Sequence, residues 1–132
     1  MTTVGIVGAS GYAGAELLRL LASHPNFEVA WATGDTQAGT PIAELYPSLL
    51  GAYPEMKFTA FDPSNADGLD VVVLALPHGK SQELVPDLRK RAGLVVDVAA
   101  DFRLKDAELY PKWYGEPHAC PELLAESVYG LP

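Results

Sequence analysis

Apolar and polar positions follow two periods along the chain, one typical of strands and one of helices. Short apolar or alternating runs predict strands at residues 2–7, 27–33, 56–61, 70–76 and 94–99. Leucines at helical spacing predict a helix over residues 13–23, and a second helix is predicted over residues 81–92. Because strands and helices alternate, the pattern predicts an α/β fold with a doubly wound, mostly parallel sheet and helices on both faces.

Three segments carry more detailed expectations. The runs at 70–76 and 94–99 are continuously apolar, as strands buried on both faces are. Pro86 lies inside the second helix and is expected to kink or divide it. From residue 101 onward prolines and aromatic residues predict a loop-rich tail with one short helix near residues 122–127.

Composition and charge narrow the class of protein. A chain of 132 residues fits one domain, and its net charge of −8 argues against nucleic acid as a partner, which would require clustered Lys and Arg. The one basic run, residues 89–91, falls at the end of the second helix, where cations favour the helix dipole. A single cysteine excludes an internal disulfide, and no apolar run is long enough to cross a membrane. We therefore expect a cytoplasmic protein that binds neither nucleic acid nor membrane.

The segment GASGYAG lies between the first strand and the first helix and contains Gly8, Gly11 and Gly14. In this context glycines predict a dinucleotide site in a Rossmann-like fold: the first forms a tight turn, the second lets the backbone approach the pyrophosphate, and the third lets the helix pack on the strand. The spacing GxxGxxG is one residue wider than the usual GxGxxG. A plain glycine-rich turn therefore remains an alternative.

The residues after the second strand, ATGDTQAG, bear on the choice between NAD and NADP. Asp35 could bind the ribose hydroxyls of NAD, whereas Thr33, Thr36 and Gln37 could bind the 2′-phosphate of NADP. No Arg stands beside them, and a polar loop without a ligand fits the same letters. This stretch alone leaves the cofactor open.

Four separated motifs extend the picture across nearly the whole chain: VGASGYAGAELLRLLASHP, ALPHGKS, DVAADFRLKD and WYGEPHACPELLAESVYGLP. In this order they resemble the N-acetyl-gamma-glutamyl-phosphate reductase family, which is related to aspartate-semialdehyde dehydrogenase. The resemblance implies an NADPH-dependent reduction of N-acetyl-glutamyl 5-phosphate to the semialdehyde and phosphate, in arginine biosynthesis. Two alternatives stay open: the related aminoadipyl-phosphate reductase of lysine biosynthesis, and a non-catalytic domain that senses a nucleotide.

The resemblance also implies roles for individual residues. Those expected to line the pyrophosphate are Gly8, Ser10, Gly11, Tyr12 and Ala13. Thr33 and Gly34 are expected at the adenosine ribose or its phosphate, and Leu76, Pro77 and His78 on the nicotinamide side. Arg103 is the candidate for the substrate phosphate, with a surface ion pair to Asp101 or Asp106 as the alternative. No metal site is predicted.

The catalytic residues of the family are expected outside this chain. The resemblance implies that a cysteine thiolate attacks the acyl phosphate and that a histidine acts as acid and base, both beyond Pro132 in a second α+β domain. Residues 1–132 are thus expected to form the NADP-binding domain and to be inactive alone, with the full-length protein a homo-oligomer that binds NADP(H) and a small acyl phosphate. Cys120 is expected to be a small, partly buried thiol rather than the nucleophile.

Overall fold

A parallel sheet of four strands organises the protein, whose computed structural model describes residues 1–131. The strands are β1 (Thr2–Val7), β2 (Phe27–Ala32), β3 (Val71–Leu74) and β4 (Leu94–Asp97). The helices are α1 (Tyr12–Ala22), α2 (Ile42–Leu45), α3 (Ser81–Arg91) and α4 (Leu109–Tyr114). Every strand pair is parallel, and the order across the sheet is β2-β1-β3-β4. The predicted α/β class is confirmed, and α1 and α3 lie within one residue of their predicted bounds.

The two faces of the sheet carry separate hydrophobic cores. On one face Leu18 of α1 packs with Val4 and Ile6 of β1. On the other face Val85 and Leu88 of α3 pack with residues of β1 and β3. Each core consists of buried side chains on one face of the sheet. The doubly wound arrangement predicted from the sequence is therefore present.

The strand order places a topological switch point between β1 and β3. From β1 the chain crosses to β2 on one side, and from β3 it crosses to β4 on the other. The connections after β1 and β3 consequently leave the sheet in opposite directions, and a crevice opens at the carboxyl ends of these two strands. Open α/β sheets bind ligands at such a point.

The predicted strand over residues 56–61 is wrong. This segment is extended, but it forms only isolated bridges within the described residues, between Thr33 and Thr59 and between Pro41 and Lys57. Its alternating pattern arises from Phe58, which is fully buried beneath Gly34. The Thr59 amide donates to Ala32 O at 3.0 Å, so the segment follows the end of β2 without becoming a fifth strand.

β4 is shorter and more exposed than the buried strand predicted over residues 94–99. It pairs with β3 on one side, and no strand in residues 1–131 pairs with its other side. Leu94, Val96 and Val98 are therefore exposed, although a continuous apolar run is typical of a central strand.

α3 continues through Pro86 as one helix, so the expected division does not occur. Proline has no N–H and cannot donate to the carbonyl oxygen four residues earlier, which belongs to Gln82. The thiol of Cys120 donates to that oxygen at 3.6 Å instead. A side chain from the tail thus supplies the hydrogen bond that the helix lacks.

The tail also departs from the prediction. In place of the expected helix near residues 122–127 there is a single 3-10 turn, Pro121–Leu123. The helix that does form, α4, was not predicted because Pro111 lies within it and obscures the helical pattern. Tyr110 of α4 is fully buried, and its hydroxyl donates to Ala100 O at 3.0 Å, which anchors the tail to the loop after β4.

Candidate functional site

The glycine-rich loop after β1 is held by the end of β2. The Gly8 amide donates to Thr33 Oγ1 at 3.1 Å, and the Ala9 amide donates to Thr33 O at 2.7 Å. Gly8 has a φ of +79°, and a Cβ there would lie 2.5 Å from Ala75 O. Only glycine satisfies both conditions, since other residues strain at this φ and would collide with the backbone after β3. Gly8 is thus required by the fold itself.

Gly14 and Gly11 differ in what surrounds them. A Cβ on Gly14 would lie 2.4 Å from the Ala9 Cα, so glycine lets α1 pack against the loop. A Cβ on Gly11 would meet no atom within 4 Å, and the Gly11 backbone is extended with φ −80° and ψ 175°. Neither packing nor backbone geometry within the described chain requires glycine at position 11. The open space beside it fits a group that approaches the backbone closely.

α1 begins beside this open space without a side-chain cap. Gly11 is the N-cap residue, and no side chain in residues 1–131 bonds the cap, nor does an acidic residue lie in the first turn. The first N–H groups of a helix lack partners within it and attract anions. Ser10 is fixed from behind, because the Tyr46 hydroxyl donates to its carbonyl oxygen at 2.5 Å. Tyr12 and Ala13 are exposed at the start of the helix.

A cleft of about 350 Å³ opens at the switch point, beside the carboxyl ends of β1 and β3. It brings together four of the residues that the resemblance assigns to the cofactor, Gly8, Thr33, Leu76 and Pro77, and also Asp35, the candidate for the ribose of NAD. The remaining lining residues are Val7, Ala60, Phe61, Lys80, Glu83 and Leu84. Sequence reasoning missed Lys80 and Glu83, although the turn Pro77-His78-Gly79 after a buried strand indicates that they begin the next helix at the ligand edge of the sheet.

The residues at the end of β2 divide into supporting and exposed ones. Thr33 and Gly34 are buried, and the Thr33 hydroxyl oxygen accepts the Gly8 amide, so this side chain supports the loop. Asp35 and Thr36 are exposed, and Asp35 lines the cleft. Asp35 is therefore the exposed side chain of this segment that lines the cleft.

The His78 side chain contacts residues of the tail and is not among the residues that line the cleft. Its Nδ1 lies 2.8 Å from Asp101 Oδ1, and its ring stacks on Tyr114 with centroids 4.6 Å apart. The Asp101 carboxylate is fully buried and also accepts the amides of Gly79 and Gln82, at 2.9 and 3.1 Å. Asp101 thereby occupies the N-terminus of α3, whereas no side chain in residues 1–131 caps the N-terminus of α1.

Asp97 lies at the end of β4, close to this network. Its Oδ1 accepts the Ser81 hydroxyl at 2.7 Å and the Ala99 amide at 3.0 Å. Its Oδ2 is buried and has no hydrogen-bond partner among the described residues. Burial is the largest influence on this carboxyl and raises its pKa, although the bonds from Ser81 and Ala99 act in the opposite direction.

Arg103 is placed away from the cleft. It lies in the loop after β4 and lines a second groove, together with Val98, Phe102 and Tyr129 among others. Its guanidinium is 5.6 Å from the Tyr129 ring centroid, and neither of the expected ion pairs, with Asp101 or Asp106, forms within residues 1–131. The cleft and this groove lie at different parts of the sheet edge and share no lining residue.

Cys120 is more deeply buried than the partly buried thiol expected from the sequence. It is 4 % exposed, and burial raises the pKa of its thiol to about 11. At neutral pH only about one molecule in ten thousand would carry the thiolate, which is the nucleophilic form. The thiol is also engaged with Gln82 O, and the Cys120 amide donates to His118 Nδ1 at 3.1 Å.

Comparisons with known proteins agree with this geometry. The family described as semialdehyde dehydrogenase, NAD binding domain, matches residues 3–132. The chain belongs to that family. It is a nicotinamide-dinucleotide-binding domain of the semialdehyde dehydrogenase type, and the resemblance stated from its motifs is confirmed.

Curated relatives carry the name that the motifs suggested. The chain is 52% identical over 132 residues to an N-acetyl-gamma-glutamyl-phosphate reductase of Ectopseudomonas mendocina (strain ymp). It is 50% identical over 132 residues to the enzyme of the same name from Azotobacter vinelandii (strain DJ / ATCC BAA-1303). Both matches cover 100% of this chain and 38% of the relative, so the chain spans less than two-fifths of these proteins.

A solved structure shows the same fold. Aspartate semialdehyde dehydrogenase with NADP from Candida albicans superimposes with a TM-score of 0.60 at 24% identity, covering 81% of this chain and 32% of that one. Within residues 1–131, no helix has the length and apolar character that a membrane crossing requires.

Proposed function

We propose that this chain is the NADP(H)-binding domain of an N-acetyl-gamma-glutamyl-phosphate reductase. The observation that carries the proposal is the open space at Gly11, where nothing within the described chain requires glycine. The uncapped start of α1 beside Gly11 and the cleft at the switch point support it. Identity near 50% to enzymes of that name along the whole chain supports the choice of substrate.

The pyrophosphate is assigned to the loop of Gly8, Ser10, Gly11, Tyr12 and Ala13. There the unpaired N–H groups at the start of α1 favour an anion, and Gly11 leaves room for its oxygens. The adenosine end is assigned to the part of the cleft after β2, which Thr33 and Asp35 line and beside which Gly34 is buried. Leu76 and Pro77, which also line the cleft, are assigned to the nicotinamide side together with His78, whose Nδ1 lies 2.8 Å from Asp101 Oδ1.

The parent enzyme would reduce an acyl phosphate to a semialdehyde and release phosphate. The bound cofactor supplies a hydride for that reduction. We assign the cysteine nucleophile and the histidine acid/base to a second domain, outside this chain. Cys120 is an unsuitable nucleophile because burial raises the pKa of its thiol to about 11 and because the thiol is bonded to Gln82 O.

The role of Gly11 is tested with Gly11→Ala and calorimetric titration of NADP and NAD. The substitution meets no protein atom, so we expect the melting temperature to change little. A methyl group in the space assigned to the pyrophosphate should weaken both nucleotides by about tenfold or more, the effect of one clash or lost contact of about 1.4 kcal/mol.

Gly51→Ala is the matched control. Gly51 also has open space and an ordinary φ, but it lies in a loop outside the cleft. We expect it to leave nucleotide binding unchanged. Equal affinities for Gly11→Ala and the unsubstituted chain would remove the main support for the proposal.

Arg103 is assigned to the substrate phosphate of the parent enzyme. Its side chain is exposed and, within the described residues, forms neither of the ion pairs, with Asp101 or with Asp106, that were the alternative to a phosphate-binding role. A guanidinium can bind two phosphate oxygens at once, whereas the ammonium of lysine cannot. In the full-length reductase, Arg103→Lys should raise the KM for the acyl phosphate by about tenfold and leave the KM for NADPH unchanged. An unaltered KM for the acyl phosphate would exclude this role.

A further inference from the structure

Three charged side chains line the cleft at the switch point: Asp35, Lys80 and Glu83. Asp35 follows β2, whereas Lys80 is the N-cap residue of α3 and Glu83 lies in the first turn of α3. Lys80 is the sole cation among the residues that line the cleft in the described part of the chain. Any anionic group that enters must therefore approach two carboxylates and one ammonium.

The Lys80 ammonium is only loosely engaged. Its Nζ lies 3.7 Å from Glu83 Oε1, beyond ordinary hydrogen-bond distance, and both side chains are 64% exposed. Arg91, by comparison, is held at 2.8 Å by Asp67 and at 2.9 Å by Asp87. Exposed pairs of this kind contribute little stability, so residues 1–131 give the Lys80 ammonium no strong partner.

The difference between NADP and NAD is an anionic group that the Lys80 ammonium could bind. NADP differs from NAD by a phosphate on the 2′-oxygen of the adenosine ribose, which lies near the end of the second strand in Rossmann folds. Asp35 stands at that point, and like charges there disfavour the phosphate unless a cation offsets them. The chain as a whole carries a net charge of −8, so it offers no general attraction for a dianion.

We propose that Lys80 sets the preference for NADP over NAD by donating to the 2′-phosphate from the wall formed by α3. This inference rests on the proposed function, because it requires that the cleft receive the adenosine end of the cofactor. The basic residue that accommodates a 2′-phosphate usually stands near the end of the second strand. Here the cation reaches the same point from the start of α3, and Asp35 keeps the position after β2.

The test is calorimetric titration of the 132-residue chain with NADP, NAD, 2′,5′-ADP and 5′-AMP. The last two probes isolate the adenosine end with and without the 2′-phosphate. Lys80→Met should weaken NADP and 2′,5′-ADP by about 10- to 100-fold, the loss of one charge-assisted hydrogen bond. It should leave NAD and 5′-AMP unchanged. Lys80→Arg should retain the preference, because it keeps the charge and the donors.

Two further variants separate a contact from a general change of charge. Lys112→Met removes the same charge in α4, where Lys112 lies over the Trp113 ring, and should change no affinity. Glu83→Gln removes a carboxylate from the cleft and should strengthen NADP without affecting NAD.

The possible failures are distinguishable. If the unsubstituted chain binds none of the four nucleotides, the proposed function fails and this inference fails with it. If the chain prefers NADP but Lys80→Met keeps the same ratio of NADP to NAD affinity, only the role of Lys80 is overturned. A preference of the unsubstituted chain for NAD would also overturn it, and would assign Asp35 to the ribose hydroxyls.

Discussion

The backbone carbonyl oxygen of Gln82 relates Pro86, in the middle of α3, to Cys120, in the tail. Pro86 cannot donate to it, and Cys120 does so at 3.6 Å. The other polar groups of Gln82 also hold neighbouring segments, since its amide donates to Asp101 and its Oε1 accepts the Ala119 amide. A buried carbonyl without a donor is unfavourable, so the thiol has a structural role at this position.

This relation predicts coupling between positions 86 and 120. Cys120→Ala should lower the free energy of unfolding by about 1 to 2 kcal/mol, because it leaves the Gln82 oxygen unpaired. Pro86→Ala restores a backbone N–H that can reach the same oxygen. In the Pro86→Ala background the same cysteine substitution should therefore be milder by about 1 kcal/mol. Urea denaturation of the four proteins measures the difference.

Loss of the buried sulfur also affects packing, but that loss is the same in both backgrounds and cancels in the comparison. Cys120→Ser keeps a donor and should be less coupled to position 86 than Cys120→Ala. Additive effects of Pro86→Ala and Cys120→Ala would show that the thiol does not serve the helix.

At the level of elements, the sequence predicted those helices and strands whose formation depends mainly on the residues within them. α1 and α3 have leucines at helical spacing, and β1 and β3 are apolar runs bounded by turn residues, so their positions followed from the sequence. The glycine loop was also predictable, because Gly8 must adopt a positive φ directly after a strand.

The elements that were predicted wrongly, or not predicted, depend on contacts between segments that are distant in the sequence. Residues 56–61 alternate like a strand, but their neighbours are the end of β2 and residues 39–41, which no local pattern reveals. α4 contains a proline and is held by Tyr110, whose hydroxyl bonds Ala100 O. β4 is apolar like a central strand although it forms an edge of the sheet described here.

The candidate site was predictable to a similar extent. Gly8, Leu76 and Pro77 follow strands, so their place at the carboxyl edge could be inferred. The buried support provided by Thr33 and the bond between His78 and Asp101 could not, because each depends on side-chain geometry between separate loops. Lys80 and Asp35 line the same cleft only because the chain crosses in opposite directions from β1 and β3.

For the molecule as a whole, carboxyl groups act on stability in both directions. Hydrogen bonds from the Thr3 amide and hydroxyl lower the pKa of Asp70, so its contribution is present above its unfolded pKa and is lost as the pH falls. Burial raises the pKa of Asp97, so the folded state holds that proton more tightly than the unfolded chain does. The contribution of Asp97 is favourable at low pH and is lost as the pH rises through its raised pKa.

Asp97→Asn tests this account of the whole protein. Above the raised pKa the carboxylate is charged while its Oδ2 is buried and has no partner among the described residues, so a neutral amide should there raise the free energy of unfolding by about 1 kcal/mol. The gain should shrink as the pH falls, because Asp97 then becomes neutral in the folded protein and the two proteins converge. Urea denaturation between about pH 4 and pH 8 measures the trend. Glu55→Gln removes the same charge from an exposed loop residue and should show no such pH dependence, which separates burial from relief of the net charge of −8. A constant difference between Asp97→Asn and the unsubstituted chain across this range would mean that the buried carboxyl does not govern how the stability of the folded domain depends on pH.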